Sequence, residues 1–92
     1  MRNAIPGHES ATQLLSALID LIHSVSAKAK QREITPQSLL LEDLGLDSLD
    51  LVRILMLIEE NFLVAIDLDE VPKLRQVQDL MVLIGQELRS AA

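Results

Sequence analysis

The sequence predicts a small all-α domain, a bundle of three main helices and one short helix. Apolar residues recur at helical spacing in three stretches, and no stretch alternates apolar and polar residues as a half-buried strand does. With 92 residues, 49% of them hydrophobic, the chain can build one core. We expect residues 1–9 to form a flexible tail, because Pro6-Gly7 breaks regular structure, and residues 10–90 to form a single domain.

The first helix is predicted from Ser10 to Ala29. Ser10 and Gln13 have the spacing of a capping box, in which two side chains satisfy free amides at a helix start. Bases follow at its end, where they suit the negative pole of the helix dipole. The apolar stripe of this helix comprises Leu14, Leu15, Leu18, Ile19, Ile22 and Val25.

A long connection is predicted over residues 31–46. Thr35-Pro36 favours one short turn of helix, since proline suits the first helical position. Gly45 is expected to take a backbone angle that other residues resist. The connection carries too many apolar residues for a free loop, so several must anchor it on the core; these are Ile34, Leu39, Leu40, Leu41 and Leu44.

The second helix is predicted from Ser48 to Asn61, with Asp47 as N-cap and Asp50 in the first turn. At about 100° per residue its apolar positions fall on two arcs. The core arc comprises Leu51, Ile54, Leu55, Ile58 and Phe62. The other arc holds Leu49, Val52, Met56 and Leu57, interleaved with Asp50, Arg53, Glu59 and Glu60. A helix on a small core needs one apolar arc, and burying the interleaved charges would be costly, so the second arc predicts a protein docking surface.

Two further helices are predicted near the end of the chain. A short one lies near Asp69–Leu74, where Pro72 must limit or distort it. The last runs from Gln76 to Arg89, without a good N-cap residue at its start. Its predicted buried stripe comprises Val77, Leu80, Met81, Ile84 and Leu88.

Composition excludes several classes of function. The chain has no cysteine, so it has neither a disulfide nor a thiolate of its own, and His8 and His23 are too few for a zinc site. No secretion signal or apolar span of membrane length is present, which makes a cytoplasmic location the expectation. The net charge is −6, but residues 42–70 alone hold nine acids and one base. This acidic segment disfavours nucleic acid and favours basic protein surfaces as partners.

Ser48 is the candidate functional residue, in Leu44-Gly45-Leu46-Asp47-Ser48-Leu49-Asp50. As a structural cap it would be redundant, because Asp47 already fills that role. As a nucleophile it would need a general base, and His23, the only histidine in the expected domain, is off the apolar stripe and is expected to be solvated. Asp47 and Asp50 alone make a weak metal site, and capping explains both more simply. Ser48 is best suited to be modified by another protein.

These residues, followed by Glu59-Glu60-Asn61-Phe62 and Ile66, resemble the acyl carrier proteins over about residues 10–88. The resemblance implies a four-helix bundle whose Ser48 carries 4′-phosphopantetheine, on whose thiol acyl groups are held as thioesters. It implies a carrier that enzymes modify and visit, among them a phosphopantetheinyl transferase and acyl ligases, acyltransferases or ketosynthases with basic docking surfaces. We expect a monomer. The matching recognition positions at and along the second helix are Asp47, Leu49, Asp50, Val52, Met56, Glu59 and Glu60. Arg53 lies between them and is expected to take part in partner binding as well.

The chain departs from that pattern at several positions. Arg53 stands where members that serve fatty acid synthesis usually carry an acid, and Leu57 widens the apolar patch. Asn61 replaces an acid, Asp67 replaces a proline, and Pro72 interrupts the third helix. We therefore expect a specialised stand-alone carrier for a dedicated lipid or polyketide pathway, and we expect Arg53→Glu to change partner preference.

Two alternatives remain at this stage. An aminoacyl or peptidyl carrier usually shows Gly-Gly-His/Asp-Ser around the serine, whereas Leu46-Asp47-Ser48 resembles the acyl type. A small acidic helical adaptor without a cofactor would keep all its activity in a Ser48→Ala variant.

Overall fold

A computed structural model describes residues 10–91 and the side chains of residues 11–89. It contains three α-helices: α1, Ser10–Val25; α2, Ser48–Phe62; and α3, Val77–Ala91. Two 3-10 helices cover Lys28–Gln31 and Leu68–Lys73. Within the described range the only strand-like pairing is an isolated antiparallel bridge between Leu39 and Gln76. The predicted all-α class is therefore confirmed. The expected tail over residues 1–9 lies outside the described residues, so the division into tail and domain stays a prediction.

The core lies between the three α-helices, each of which packs against the other two. Its fully buried side chains come from all three α-helices and from the connection before α2; the largest are Leu18, Ile22, Leu40, Leu44, Ile54, Leu55, Ile58, Leu80, Ile84 and Val77. Aliphatic side chains thus supply nearly all of the apolar burial that stabilises the fold.

Helix α1 ends at Val25, four residues before the predicted end at Ala29. Ser24 and Ser26 flank that end, and both serine and valine are weak helix formers because they lose side-chain freedom or compete for backbone hydrogen bonds. The chain then tightens into the first 3-10 helix, where Ala29 N–H donates to Ser26 O at 3.3 Å. This 3-10 turn stands where the last turn of α1 was predicted, and it buries Ala29 completely.

The predicted helical turn at Thr35-Pro36 is wrong. Ser38 N–H closes a non-helical turn by donating to Thr35 O at 3.0 Å, and Ser38 Oγ accepts from Thr35 N–H at 2.9 Å. Beyond it the backbone pairs with the start of α3, since Leu40 N–H donates to Arg75 O at 2.8 Å. A partner far along the chain therefore uses the backbone groups that a helix would need. Of the expected anchors, Leu40 and Leu44 are buried, whereas Leu41 is exposed.

The last two helices agree with prediction in place but not in every detail. The short helix is of the 3-10 type, as the missing N–H of Pro72 favours a short, distorted element. Helix α3 lacks a good N-cap residue, and the carboxylate of Asp79 takes that role instead. It accepts hydrogen bonds from Gln76 N–H at 2.9 Å and from Arg75 N–H at 3.0 Å. Leu88, predicted to be buried, is exposed at the end of α3.

Candidate functional site

The chain enters α2 through a short segment that is pinned to the core on both sides of Gly45. Leu44 and Leu46 are buried, and between them Gly45 has a φ of +71°, in the left-handed region. Glycine adopts this angle without the strain that a Cβ would cause, which confirms the sequence prediction. The turn leaves Asp47 and Ser48 exposed at the surface immediately after a buried residue.

Asp47 and Asp50 cap the N-terminus of α2 reciprocally. Asp50 N–H donates to Asp47 Oδ1 at 2.8 Å, and Asp47 N–H donates to Asp50 Oδ2 at 3.1 Å. This arrangement confirms Asp47 as the N-cap and fixes the direction in which α2 begins. Both carboxylates are thereby occupied with backbone amides rather than arranged as a metal site. Among the described residues there is no group of three or more acids or histidines that could hold a metal ion.

Ser48 is the first residue of α2, and its side chain is exposed. Its hydroxyl has no hydrogen-bond partner among the side chains that the structure describes. His23 is not solvated as expected but half-buried on α1, and it forms no hydrogen bond with Ser48. The geometry therefore presents a hydroxyl that is fixed in place by its backbone and open to solvent.

Helix α2 separates its core side from its outer side as the two predicted arcs require. Four residues of the core arc are buried, and Phe62 is half-buried against the core. On the outer side Leu49 is 60% exposed and Met56 is 53% exposed. We call this outer side the α2 face, defined by Leu49, Val52, Arg53, Met56 and Glu60. This face is open, as the sequence analysis expected of the second arc.

The other residues of the predicted recognition set differ in what they do. Arg53 and Glu60 are exposed, whereas Val52 and Asp50 are half-buried. Glu59 is also half-buried, and its Oε2 accepts a hydrogen bond from Ile66 N–H at 2.8 Å. This bond ties α2 to the segment that follows it. Glu59 thus has a structural contact that the sequence analysis did not anticipate.

Sequence analysis missed two exposed leucines beyond the end of α2. Leu63 is the C-cap residue with a φ of 56°, and it is 85% exposed; Leu68, at the start of the second 3-10 helix, is 58% exposed. Leu63 follows Met56 by seven residues, so the spacing of the outer arc could have included it. Nothing in Asn61-Phe62-Leu63 indicates a left-handed leucine, because glycine or asparagine ordinarily fills that position.

Comparison with known proteins places this site in a family. A family model described as the phosphopantetheine attachment site matches residues 13–84, which is well over half of the chain and includes Ser48 and all of α2. The chain belongs to the phosphopantetheine-attachment family.

Similar proteins within this family are acyl carrier proteins. One from Nitratidesulfovibrio vulgaris is 44% identical over 52 residues, covering 56% of this chain and 68% of that protein. Another from Helicobacter hepaticus is 40% identical over 52 residues, with the same two coverages of 56% and 68%. The crystal structure of an acyl carrier protein from Thermotoga maritima shares the fold, with a TM-score of 0.81 at 22% identity, over 92% of this chain and 98% of that chain.

The chain is accordingly an acyl carrier, and its prosthetic group is covalently held 4′-phosphopantetheine. Enzymes that modify carriers and enzymes that build acyl groups are its partners as a class. Within residues 10–91 no helix combines the length and the apolar character that crossing a membrane requires.

Proposed function

We propose that Ser48 is the attachment residue, and that the chain presents thioester-bound acyl groups to enzymes of fatty acid, lipid or polyketide biosynthesis. The observation that carries this proposal is the exposed Ser48 hydroxyl at the first position of α2, without a partner among the described side chains. An acceptor of a large group needs access and a fixed position, and it needs no general base of its own.

The surroundings of Ser48 suit a phosphodiester. The first amides of a helix have no intrahelical acceptor, and the helix dipole favours negative charge at that end. In α2, Asp47 occupies the amide of Asp50, while the N–H groups of Ser48 and Leu49 have no acceptor among the described residues. Two free amides therefore lie beside the hydroxyl that would bear the phosphate.

The prosthetic group and the protein chain have different roles, as the composition of the chain indicates. The prosthetic group supplies the thiol on which acyl groups are held as thioesters, and the chain contributes no cysteine. What the chain's own residues do is hold Ser48 at a defined place and orientation. The position of Ser48 is fixed by the turn at Gly45, by the buried Leu46, and by the capping box of Asp47 and Asp50.

The α2 face is the proposed docking surface for these enzymes. It begins one residue after Ser48 and runs for about 16 Å to Glu60, at about 1.5 Å per residue. Exposed apolar side chains lie along it, and it lies within the acidic segment 42–70, a combination suited to basic docking surfaces. Phosphopantetheinyl transferases, acyl ligases, acyltransferases and ketosynthases are the proposed classes. A monomeric state, a stand-alone chain and a cytoplasmic location stay predictions.

We also propose that the pathway is a specialised one. The exposed Arg53 and the half-buried Leu57 give the outer side of α2 one positive charge and additional apolar area.

Loading with purified fatty acyl ligases and aminoacyl ligases separates the acyl carrier from the aminoacyl or peptidyl alternative. Transfer of an amino acid but no fatty acyl group would contradict the acyl assignment.

The attachment residue is tested by intact-mass spectrometry of the unmodified protein. The protein is incubated with coenzyme A and a broad-specificity phosphopantetheinyl transferase, and the expected result is a gain of one phosphopantetheinyl group that maps to Ser48. Ser48→Ala should show no gain, and Ser16→Ala, which alters an exposed serine on α1, should be modified like the wild type. No gain on folded, initially unmodified wild-type protein would favour the cofactor-free adaptor.

A further inference from the structure

Arg53 is an isolated positive charge in the middle of a negative segment. It is the only base among residues 42–70, against nine acids. Its side chain is exposed near the midpoint of α2. No ion pair or hydrogen bond joins it to any residue whose side chain the structure describes.

The positions around Arg53 explain why the charge is unpaired. On a helix, ion pairs form between residues three or four apart. Two of the four such positions are Leu49 and Leu57, a third is Met56, and only the fourth, Asp50, is an acid. The Asp50 carboxylate accepts from Asp47 N–H in the capping box. The helix therefore offers Arg53 no uncommitted carboxylate at pairing distance.

The acids on either side of Arg53 set up an order of charge along α2. Asp47 and Asp50 lie at the start of the helix, Arg53 follows about one turn later, and Glu60 lies two turns further along the same face. At about 100° per residue, Arg53 and Glu60 point within roughly 20° of each other. An approaching surface thus meets negative, positive and negative charge in sequence.

We propose that Arg53 is a specificity residue, selecting enzymes whose docking surface places a carboxylate between two basic groups. This inference rests on the proposed docking role of the α2 face. A surface with uninterrupted positive charge would place a base against Arg53, and like charges brought together at an interface are unfavourable. A surface with a carboxylate at that point satisfies Arg53 while its flanking bases meet the acids. Arg53 thus disfavours one set of partners and favours another.

Charge-swap kinetics with a phosphopantetheinyl transferase test the proposal. The probe is a transferase whose carrier-docking surface is basic throughout, and kcat/KM is measured for wild type, Arg53→Glu and Arg53→Gln. Because exposed charge pairs contribute modestly, we expect Arg53→Glu to be modified roughly three- to tenfold more efficiently than wild type, with Arg53→Gln between them. The difference should shrink as salt increases, since salt screens exposed charges.

The second arm replaces each basic docking residue of the transferase with glutamate, one at a time. For one of these transferase variants the order of kcat/KM should invert, so that wild type is modified more efficiently than Arg53→Glu. Lys30→Glu is the matched control, because it makes the same change in net charge on the first 3-10 helix, which does not pack against α2. We expect Lys30→Glu to follow wild type within about twofold, as its charge lies away from the docking surface.

The outcomes separate this inference from the proposed function. If wild type is modified but all three residues at position 53 give equal kcat/KM with every transferase variant, the specificity role of Arg53 is overturned while the carrier role stands. An equal effect of Lys30→Glu and Arg53→Glu would also overturn it, because net charge would then explain the result. If no form of the folded protein is modified, the proposed function fails and the inference fails with it.

Discussion

Replacing Glu59 with alanine should destabilise the fold, although the sequence assigns Glu59 to partner docking. Its Oε2 accepts from Ile66 N–H at 2.8 Å, and Ile66 is buried. A hydrogen bond to a charged acceptor contributes about 1.5–3 kcal/mol, and the half-exposed position of Glu59 reduces this. We therefore expect Glu59→Ala to lower the free energy of unfolding by about 1–2 kcal/mol.

The neighbouring acid provides a matched control. Glu60 is exposed and its carboxylate bonds to no described residue, so Glu60→Ala should change stability by less than about 0.5 kcal/mol. Glu59→Gln keeps a carbonyl acceptor but loses the charge, so its effect should lie between the two. In a domain of this size a loss of 1 kcal/mol lowers the melting temperature by roughly 4–8 °C, which thermal unfolding resolves.

Two measurements together test this reasoning. Urea unfolding followed by circular dichroism gives the free energies, and amide hydrogen exchange reports on the Ile66 N–H itself. Loss of protection at Ile66 in Glu59→Ala, with retention in Glu60→Ala, is the expected pattern. The reasoning is refuted if the two alanine variants are equally stable and Ile66 keeps its protection in both.

Two backbone positions give opposite predictions, both measurable from the midpoint of urea unfolding. Gly45→Ala should destabilise by about 1 kcal/mol, because an added Cβ meets no atom within 4 Å and only the left-handed angle is unfavourable; an unchanged midpoint would contradict this. Leu63→Gly should stabilise the fold by about 0.5 kcal/mol. The strain at the φ of 56° is relieved, and little packing is lost because the side chain is 85% exposed. The relieved strain is expected to exceed the cost of the greater freedom of glycine in the unfolded chain. A lower midpoint for that variant would show that Leu63 makes a contact worth more than its strain.

Local sequence signals predicted the start of α2 well. The capping box of Asp47 and Asp50 and the left-handed glycine at position 45 depend on residues within a few positions of each other. The two arcs of α2 likewise follow from the periodicity of a single helix, and the exposed Leu49 and Met56 lie where that periodicity puts them.

Features that depend on distant residues were not predictable in this way. The turn at Thr35-Pro36 continues into the pairing of Leu39 with Gln76, which lies far along the chain. Leu41 is apolar like the other expected anchors, but the turn directs Leu40 and Leu44 towards the core and leaves Leu41 exposed. The bond between Glu59 and Ile66 ties α2 to the segment beyond its left-handed cap at Leu63, and no sequence pattern marks it.

The structure also distinguishes charges on α2 that look equivalent in sequence. Asp47, Asp50 and Glu59 all accept hydrogen bonds from backbone amides, so a change at any of these positions removes a contact within the fold, whatever its effect on the proposed docking. Arg53 and Glu60 have no such bond and can be changed with little effect on stability. The charge of the proposed docking surface can therefore be changed at these two positions without loss of the bundle. Because both lie on the open side of α2, opposite its buried residues, we expect substitutions that change partner choice in this chain without unfolding it to be concentrated there.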